Sequence, residues 1–392
     1  MTEMAGTNHK RIYDAWSCTH NIKSMRICHV VNRLSDTTMA RDLATGQANI
    51  GDISQVTIVS LETPSSRVIG EKLEMVTLDH PSDSHLLDAS GLADLRATFE
   101  EHDLVHTHHH LSGAYAKILG RLHRKPVVVT EHNNHGGYRR TGRIVNGLTN
   151  VLADSIVCVS ETVRDSFRRW EGALLSQEDV KVIHNGVDIG RIARAKELDW
   201  SIYQQCDISE DAFVVSTAGM LIEQKAHETL IDAVDLLNAE GAINRPIELV
   251  ISGEGDRREQ LEQQIESSRY ENRFHLLGFL DERNQVFRMM HESDVYAMPS
   301  RWEGFCVAAL EALATGTPCV FSDIPAFENY FSDVSLLHEA GDSEDLAEKL
   351  EMMLSNERMR SGYAKAGRDL VLDEYSLERT TERYYEIYAD LI

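Results

Sequence analysis

The sequence predicts an α/β protein built from two doubly wound domains in tandem, and three observations carry that prediction. Short runs rich in Val and Ile recur along the 392 residues, stretches of helical spacing separate them, and one polar, charge-rich interruption splits the series. The length exceeds one ordinary domain, and a hydrophobic content of 42% can supply a core for each of two.

In chain order, residues 1–24 are polar and read as a flexible leader. A first series of strands is predicted at 25–31, 56–61, 103–106, 126–130, 155–159 and 181–183. The pattern breaks at Asn185-Gly186-Val187-Asp188, and a charged segment runs on to Asp211. A second series follows at 213–218, 247–251, 273–277, 295–298, 319–321 and 334–337. Helices are predicted at 226–237, 257–265 and 308–314, among others. The last, 377–392, carries Tyr384, Tyr385, Ile387 and Tyr388 at helical spacing, which predicts that it packs back on the first domain. The expected organisation is an N-terminal Rossmann-like domain at 25–186 plus that helix, and a second at 187–376. Such domains place the carboxyl ends of their strands across a cleft, where chemistry is to be sought.

Charge and composition exclude several classes. Thirty-nine Lys and Arg against 63 Asp and Glu give a net −24, which argues against nucleic-acid binding. Ten Lys against 29 Arg under this carboxylate excess suit a salt-rich cytosol and an ordinary acidic soluble protein equally. The six cysteines form no CxxC pair, so neither a disulfide framework nor a zinc module is predicted. No apolar run reaches the length of a membrane span and the start lacks a signal peptide, so the expected location is cytoplasmic, with peripheral contact at the inner membrane face left open.

The most informative stretch is Pro299-Ser300-Arg301-Trp302-Glu303-Gly304-Phe305-Cys306, leading through Val307 to Glu311 and Ala312. It follows a predicted strand and opens a predicted helix. Side chains lean toward a helix N-terminus, so Glu311 can reach back to a ligand at the helix mouth. The amides near Phe305–Val307, with the helix dipole, suit an anion there. Amides for a diphosphate and carboxylates for hydroxyls are what a sugar nucleotide requires.

This segment resembles the E-x7-E motif of the retaining, GT-B-fold glycosyltransferases of family four, and other stretches agree in order and spacing. Val182–Asp188 resembles the junction motif I-P-N-G-V-D, with His184 where Pro is usual. Gly219–Ile231 resembles G-R-L-x-x-x-K-G-H-x-x-L-I, Gly253–Arg257 the next strand-end glycine loop, and Leu276–Phe279 the F-L-G that follows. The similarity spans nearly all of 25–392.

The resemblance implies a donor site of Gly219, Lys225, Gly253, Glu303, Gly304, Phe305, Cys306 and Glu311. Lys225 would hold the diphosphate, Glu311 the ribose and Glu303 the transferred sugar, while the peptide groups of Gly304, Phe305 and Cys306 would line the pocket. Thr130-Glu131-His132 resembles the strand-end T-x-H, which makes His132, with Lys225 and Glu303, the catalytic candidates. The implied reaction moves a sugar from a nucleoside diphosphate to an acceptor hydroxyl with retention of anomeric configuration, in glycan or glycolipid assembly. It needs no metal or other cofactor.

Three departures stand out: Met220 replaces the usual Arg, Cys306 replaces a Gly, and Leu34–Thr38 replaces a Gly-rich loop. Arg301 is one candidate to compensate for Met220. His106-Thr107-His108-His109-His110 offers HxH spacing for zinc, but no carboxylate or Cys accompanies it, so polar residues lining the acceptor side are the expectation. From Lys117 to Arg143 seven cations (Lys117, Arg121, Arg124, Lys125, Arg139, Arg140 and Arg143) face one opposing Glu131, which predicts a contact with an anionic acceptor or an anionic membrane carrying a lipid-linked one. The competing readings are an epimerase or hydrolase of nucleotide sugars on the same fold, and a non-catalytic glycan-binding homologue.

Overall fold

In the computed structural model, residues 24–35, 39–64, 70–78, 87–108, 110–135, 140–176, 179–241, 243–280 and 282–392 are described. Nearly all of the predicted leader and residues 36–38 of the Leu34–Thr38 loop lie outside them.

The first sheet has seven strands: β1 (Met25–Val31), β2 (Ile53–Ser60), β3 (Leu73–Thr77), β4 (Leu104–Thr107), β5 (Val127–Glu131), β6 (Ser155–Cys158) and β7 (Val180–Val182). Their order is β3-β2-β1-β4-β5-β6-β7, with β1 between β2 and β4 in parallel register. The second has β8 (Phe213–Ala218), β9 (Ile247–Ser252), β10 (Phe274–Gly278), β11 (Val295–Met298), β12 (Cys319–Ser322) and β13 (Leu336–His338), in the order β10-β9-β8-β11-β12-β13. Both are doubly wound, with the switch point beside their first strand. Strands such as β4, β8 and β11 are buried throughout, which is why they read as unbroken apolar runs rather than alternating ones.

One strand was not predicted. β3 is an edge strand whose residues are half-buried or exposed, and Glu74 interrupts its apolar run.

The chain packs as two compact units, Met1–Thr130 with Arg140–Ile156 and Thr381–Ile392, and Glu131–Arg139 with Val157–Thr380. Where the sequence suggests one border at 186, the chain crosses several times. Val159 and Val163 explain part of this, since they are buried in one cluster with Val187, Phe305 and Ala309.

In the first unit, the end of the helix Leu377–Leu391 buries Tyr384, Tyr385, Ile387 and Tyr388, as its spacing predicts. Tyr385 Oη donates to Asp52 Oδ2 at 2.8 Å, and Gly46 leaves no room for a β-carbon beside Thr381. In the second unit, Val187 and Ser376 form a bridge, with Val187 N–H donating to Tyr375 O at 2.9 Å.

Candidate active site in the second unit

Three strand-end turns of the second sheet fit together backbone to backbone. Gly219 N–H donates to Ser252 O (2.9 Å), Leu221 N–H to Glu254 O (3.0 Å) and Gly253 N–H to Gly278 O (2.8 Å). Gly253 has φ +151, and a β-carbon there would stand 1.8 Å from Gly219 O, so no other residue fits. A β-carbon on Gly255 would likewise meet Leu221 O at 2.3 Å.

These turns seat Lys225 at the end of a short 3-10 turn, Glu223–Lys225. Its stem lies over Gly219, and Nζ meets Glu303 Oε1 at 2.6 Å with both side chains largely buried. Gln224 Nε2 donates to Trp302 O (2.9 Å) and Glu303 Oε2 (3.3 Å), and Arg301 N–H donates to Gln224 O (2.8 Å). Burial opposes the Lys225 charge, but the Glu303 carboxylate against it outweighs burial and holds the ammonium above its ordinary value. Lys225 is thus a full cation at neutral pH.

The helix Val307–Thr315 follows β11 after the loop 299–306, and its first amides, at Val307 and Ala308, precede the first intrahelical acceptor. Its N-cap, Cys306, takes φ +49, a left-handed backbone costly for any residue with a β-carbon. Burial pushes the Cys306 thiol up to about 12, so it is a neutral group, and its Sγ lies 3.0 Å from Met298 Sδ. Lys225 and Glu303 are in direct contact, and Cys306, next to them in the motif, caps the helix that carries Glu311.

Glu311 is buried and ion-paired with Arg283, the first residue of the helix Arg283–Glu292. Sequence reasoning missed Arg283, because nothing in its spacing turns a helix-start arginine inward. Arg301, the candidate to replace the missing arginine at Met220, is engaged with Glu228 at 3.1 Å, which Arg257 also reaches at 3.2 Å. Met220 itself is exposed. The arginine that meets a motif carboxylate is Arg283, on Glu311.

Phe305 anchors the motif loop through its side chain. Its ring stacks on His184 (centroids 4.9 Å, planes 9° apart) and meets Tyr330 and Tyr375 edgewise or tilted. His184, standing where the family has Pro, also places Nε2 3.2 Å from Glu161 Oε2, and Tyr330 Oη donates to the same oxygen.

His132 follows β5 and is half-buried. Burial takes its pKa down to about 4 against the pull of Glu131, so the ring is neutral. Its carbonyl lies against Gly304, where an added β-carbon would stand 2.8 Å away, while Ser160 Oγ donates to Gly304 O at 2.8 Å. His132 and the motif glycine are thus neighbours.

The His-rich stretch corrects the sequence reading. His106 and His108 do not line a surface; both are buried in the first unit with His29. His29 Nε2 donates to Gln47 Oε1 (2.7 Å) and Nδ1 meets His108 Nε2 (2.9 Å). Gln47 Nε2 donates to Tyr388 Oη (2.9 Å), which meets His106 Nδ1 (2.7 Å), and His106 Nε2 meets Thr130 Oγ1 (2.7 Å). The three imidazoles bring ligand nitrogens within 4.8 Å of one another, but both nitrogens of His29 and of His106 are already engaged in this network. His109 lies outside the described residues.

The cation run needs a second correction. Lys117 is fully buried and donates to Asn146 Oδ1 (2.9 Å) and Asn150 Oδ1 (2.7 Å), so it belongs to the interior. Arg139 lies outside the described residues. Arg121, Arg124 and Arg140 are exposed, and Lys125 and Arg143 half-exposed.

Comparison with known proteins completes the picture. The family described as "Glycosyl transferases group 1" matches residues 199–370, and "Glycosyltransferase Family 4" matches 37–191. The chain belongs to the family-four glycosyltransferases. As a member of that family it is a glycosyltransferase, a hexosyl-transferring enzyme of GT-B fold with two Rossmann-like domains. A similar relative is the Escherichia coli UDP-Gal:alpha-D-GlcNAc-diphosphoundecaprenol alpha-1,3-galactosyltransferase, 25% identical over 75% of this chain and 76% of that one. The Mycobacterium leprae phosphatidyl-myo-inositol mannosyltransferase is 28% identical over 69% and 68%. Anabaena HepE, crystallised with UDP, superposes with a TM-score of 0.75 at 20% identity, covering 94% of this glycosyltransferase and 100% of HepE. Among the described residues, no helix is long and apolar enough to cross a membrane.

Proposed function

We propose that this glycosyltransferase transfers a hexose from a uridine diphosphate sugar to a hydroxyl of an anionic, lipid-linked acceptor, with retention at the anomeric carbon. The observation that carries the reading is the buried Lys225–Glu303 pair beside the mouth of the helix Val307–Thr315. HepE binds UDP and the Escherichia coli relative uses UDP-Gal, which supports uridine as the base.

In this reading the second domain binds the donor. Lys225 exchanges Glu303 for the diphosphate, and Glu303 then accepts hydrogen bonds from the sugar hydroxyls. Glu311, oriented by Arg283, accepts those of the ribose. As the anomeric C–O bond breaks, negative charge grows on the diphosphate, where Lys225 and the amides of 304–307 meet it; stabilising this leaving group is the dominant contribution. His132, being neutral, offers a hydrogen bond to the sugar without competing for the phosphate. Gly219 and Gly253 serve by letting the backbone turns close around the lysine. The protein's own residues supply this chemistry without a metal.

The first domain receives the acceptor. Its helices His110–Leu122 and Arg140–Asn150 expose Ile118, Leu122, Ile144, Val145 and Leu148 among Arg121, Arg124, Arg140 and Arg143. Exposed apolar side chains among arginines suit the inner, cytoplasmic face of an anionic membrane. Binding to phosphatidylglycerol vesicles and not to phosphatidylcholine vesicles in co-sedimentation is the expected result; equal binding to both removes the membrane part. For the donor, a thermal-shift series with UDP, GDP and ADP reads affinity through linkage. A shift with UDP alone is expected, and donor turnover must cease when acceptor is omitted.

A further inference from the structure

In the second unit two carboxylates converge on one histidine, and none of the three has yet been given a role. Glu131 ends β5, His135 lies four residues further on, and Glu171 belongs to the short helix Arg169–Gly172. The His135 and Glu171 side chains are fully buried and that of Glu131 nearly so. His135 Nε2 lies 3.4 Å from Glu131 Oε2, and Nδ1 lies 3.4 Å from Glu171 Oε1.

A neutral imidazole has one N–H and one lone pair, so either tautomer would turn a lone pair toward a buried carboxylate. The imidazolium carries an N–H on both nitrogens, Nδ1 hydrogen-bonding Glu171 Oε1 while Nε2 faces Glu131 Oε2 as an ion-pair contact, and its charge offsets part of theirs. Burial works against that cation, yet Glu131 and Glu171 prevail and hold His135 above its ordinary value. His132 is neutral, burial raises the Cys158 thiol, and Arg168 gives Glu171 its backbone N–H at 2.7 Å. The Phe167 ring packs 4.2 Å from the imidazole.

The segment that carries Glu171 also holds the motif loop. His135 N–H donates to Ser166 Oγ (2.9 Å), and Ser160, at the head of the same segment, donates to Gly304 O (2.8 Å). His132 O lies on the opposite side of that glycine.

We propose that His135, as an imidazolium clamped between Glu131 and Glu171, is a positioning residue that fixes His132 against the Glu303–Gly304 turn. The proposal deepens the donor-site reading, and its catalytic consequence rests on it. A cation whose pKa is raised on folding is retained at neutral pH and lost as the solution turns alkaline, so the tie loosens on the alkaline side only.

The test follows imidazole nitrogen resonances in the full chain, wild type and Glu171→Gln, through an alkaline titration. It is paired with kcat and KM for whichever of UDP-glucose and UDP-galactose the wild type turns over. The expected wild-type result is that both His135 nitrogens remain protonated at the pH where an ordinary histidine loses its proton, the second proton leaving on the alkaline side of it. His132 resonances are expected to move with the same midpoint. In Glu171→Gln both midpoints and the alkaline limb of kcat drop together by about one pH unit, with donor KM unchanged. A neutral His135 at that pH, a His132 that ignores the titration, or an unmoved alkaline limb overturns the proposal. Should Glu171→Gln fail to fold, the wild-type titration decides alone. A wild type that neither binds UDP nor turns over either donor, while its resonances behave as expected, overturns the donor-site reading and leaves the tie standing.

Discussion

The two units each bury a polar system, and the two are built on opposite lines. In the first, His29, His106, Gln47, Thr130 and Tyr388 form a hydrogen-bonded chain in which burial keeps the His29 ring neutral. In the second, Lys225–Glu303 and Arg283–Glu311 are charged pairs at the strand ends. A network whose groups engage one another has nothing to offer a ligand and serves to fasten the C-terminal helix. Charged pairs hold strong donors and acceptors ready, and a ligand with its own anion and hydroxyls can replace one partner with another. Burial of polar groups alone does not mark a site; charge that can be exchanged does.

The sharpest way to break this contrast is Lys225→Ala. Losing a preorganised cation at the leaving group is expected to lower kcat by about 10²–10³-fold with the fold retained. Near-normal turnover would remove Lys225 from the mechanism.

Acid bears on both units, since burial lowers His132 and His227 of the second to about 4 as it lowers His29 of the first. Burial takes His29 down to about 4, so the unfolded chain binds its proton first as pH falls. The stability this neutral ring contributes is complete above the ordinary histidine pKa and is lost as pH drops toward about 4, a change on the order of 3 kcal/mol. Chemical denaturation from neutral pH down to that value measures it, and His29→Gln should remove this share of the dependence while those of His132 and His227 remain.

Tyr388→Phe strikes the same network without touching charge. It strands a Gln47 amide hydrogen and His106 Nδ1, at a cost of about 1–3 kcal/mol. The midpoint of thermal unfolding is expected to fall while affinity for UDP stays as it was; a weakened UDP interaction would mean the two systems are not separate in role.

The smallest effect belongs to Cys306→Gly. Relief of the left-handed backbone is about 1–2 kcal/mol, and the added freedom of glycine in the unfolded chain takes back about half of it. Slightly higher stability with unchanged UDP affinity is expected, because only the Cys306 peptide group faces the donor in this reading.

The contrast also explains what could be read before the structure. Buried parallel strands announce themselves as apolar runs, and Lys225, Glu303 and Glu311 lie in motifs whose spacing follows from a strand, a turn and a helix. The partners that hold those residues come from distant parts of the chain and leave no local mark: Arg283 on Glu311, His184 under Phe305, Ser160 on Gly304. The misreadings have the same origin. Lys117 counts as surface charge until Asn146 and Asn150, 29 and 33 residues later on the next helix, are found to bury it. His106 and His108 suggest a lining until Tyr388, 282 residues after His106, closes over the network.

The interlocked glycine turns at Gly219, Gly253 and Gly255 carry a practical consequence for redesign. Because the α-carbon of one turn occupies the space against the carbonyl of the next, no single turn can be lengthened or exchanged on its own. Exchanging any one of them therefore calls for transplanting the three turns as one cassette, together with the lysine they seat.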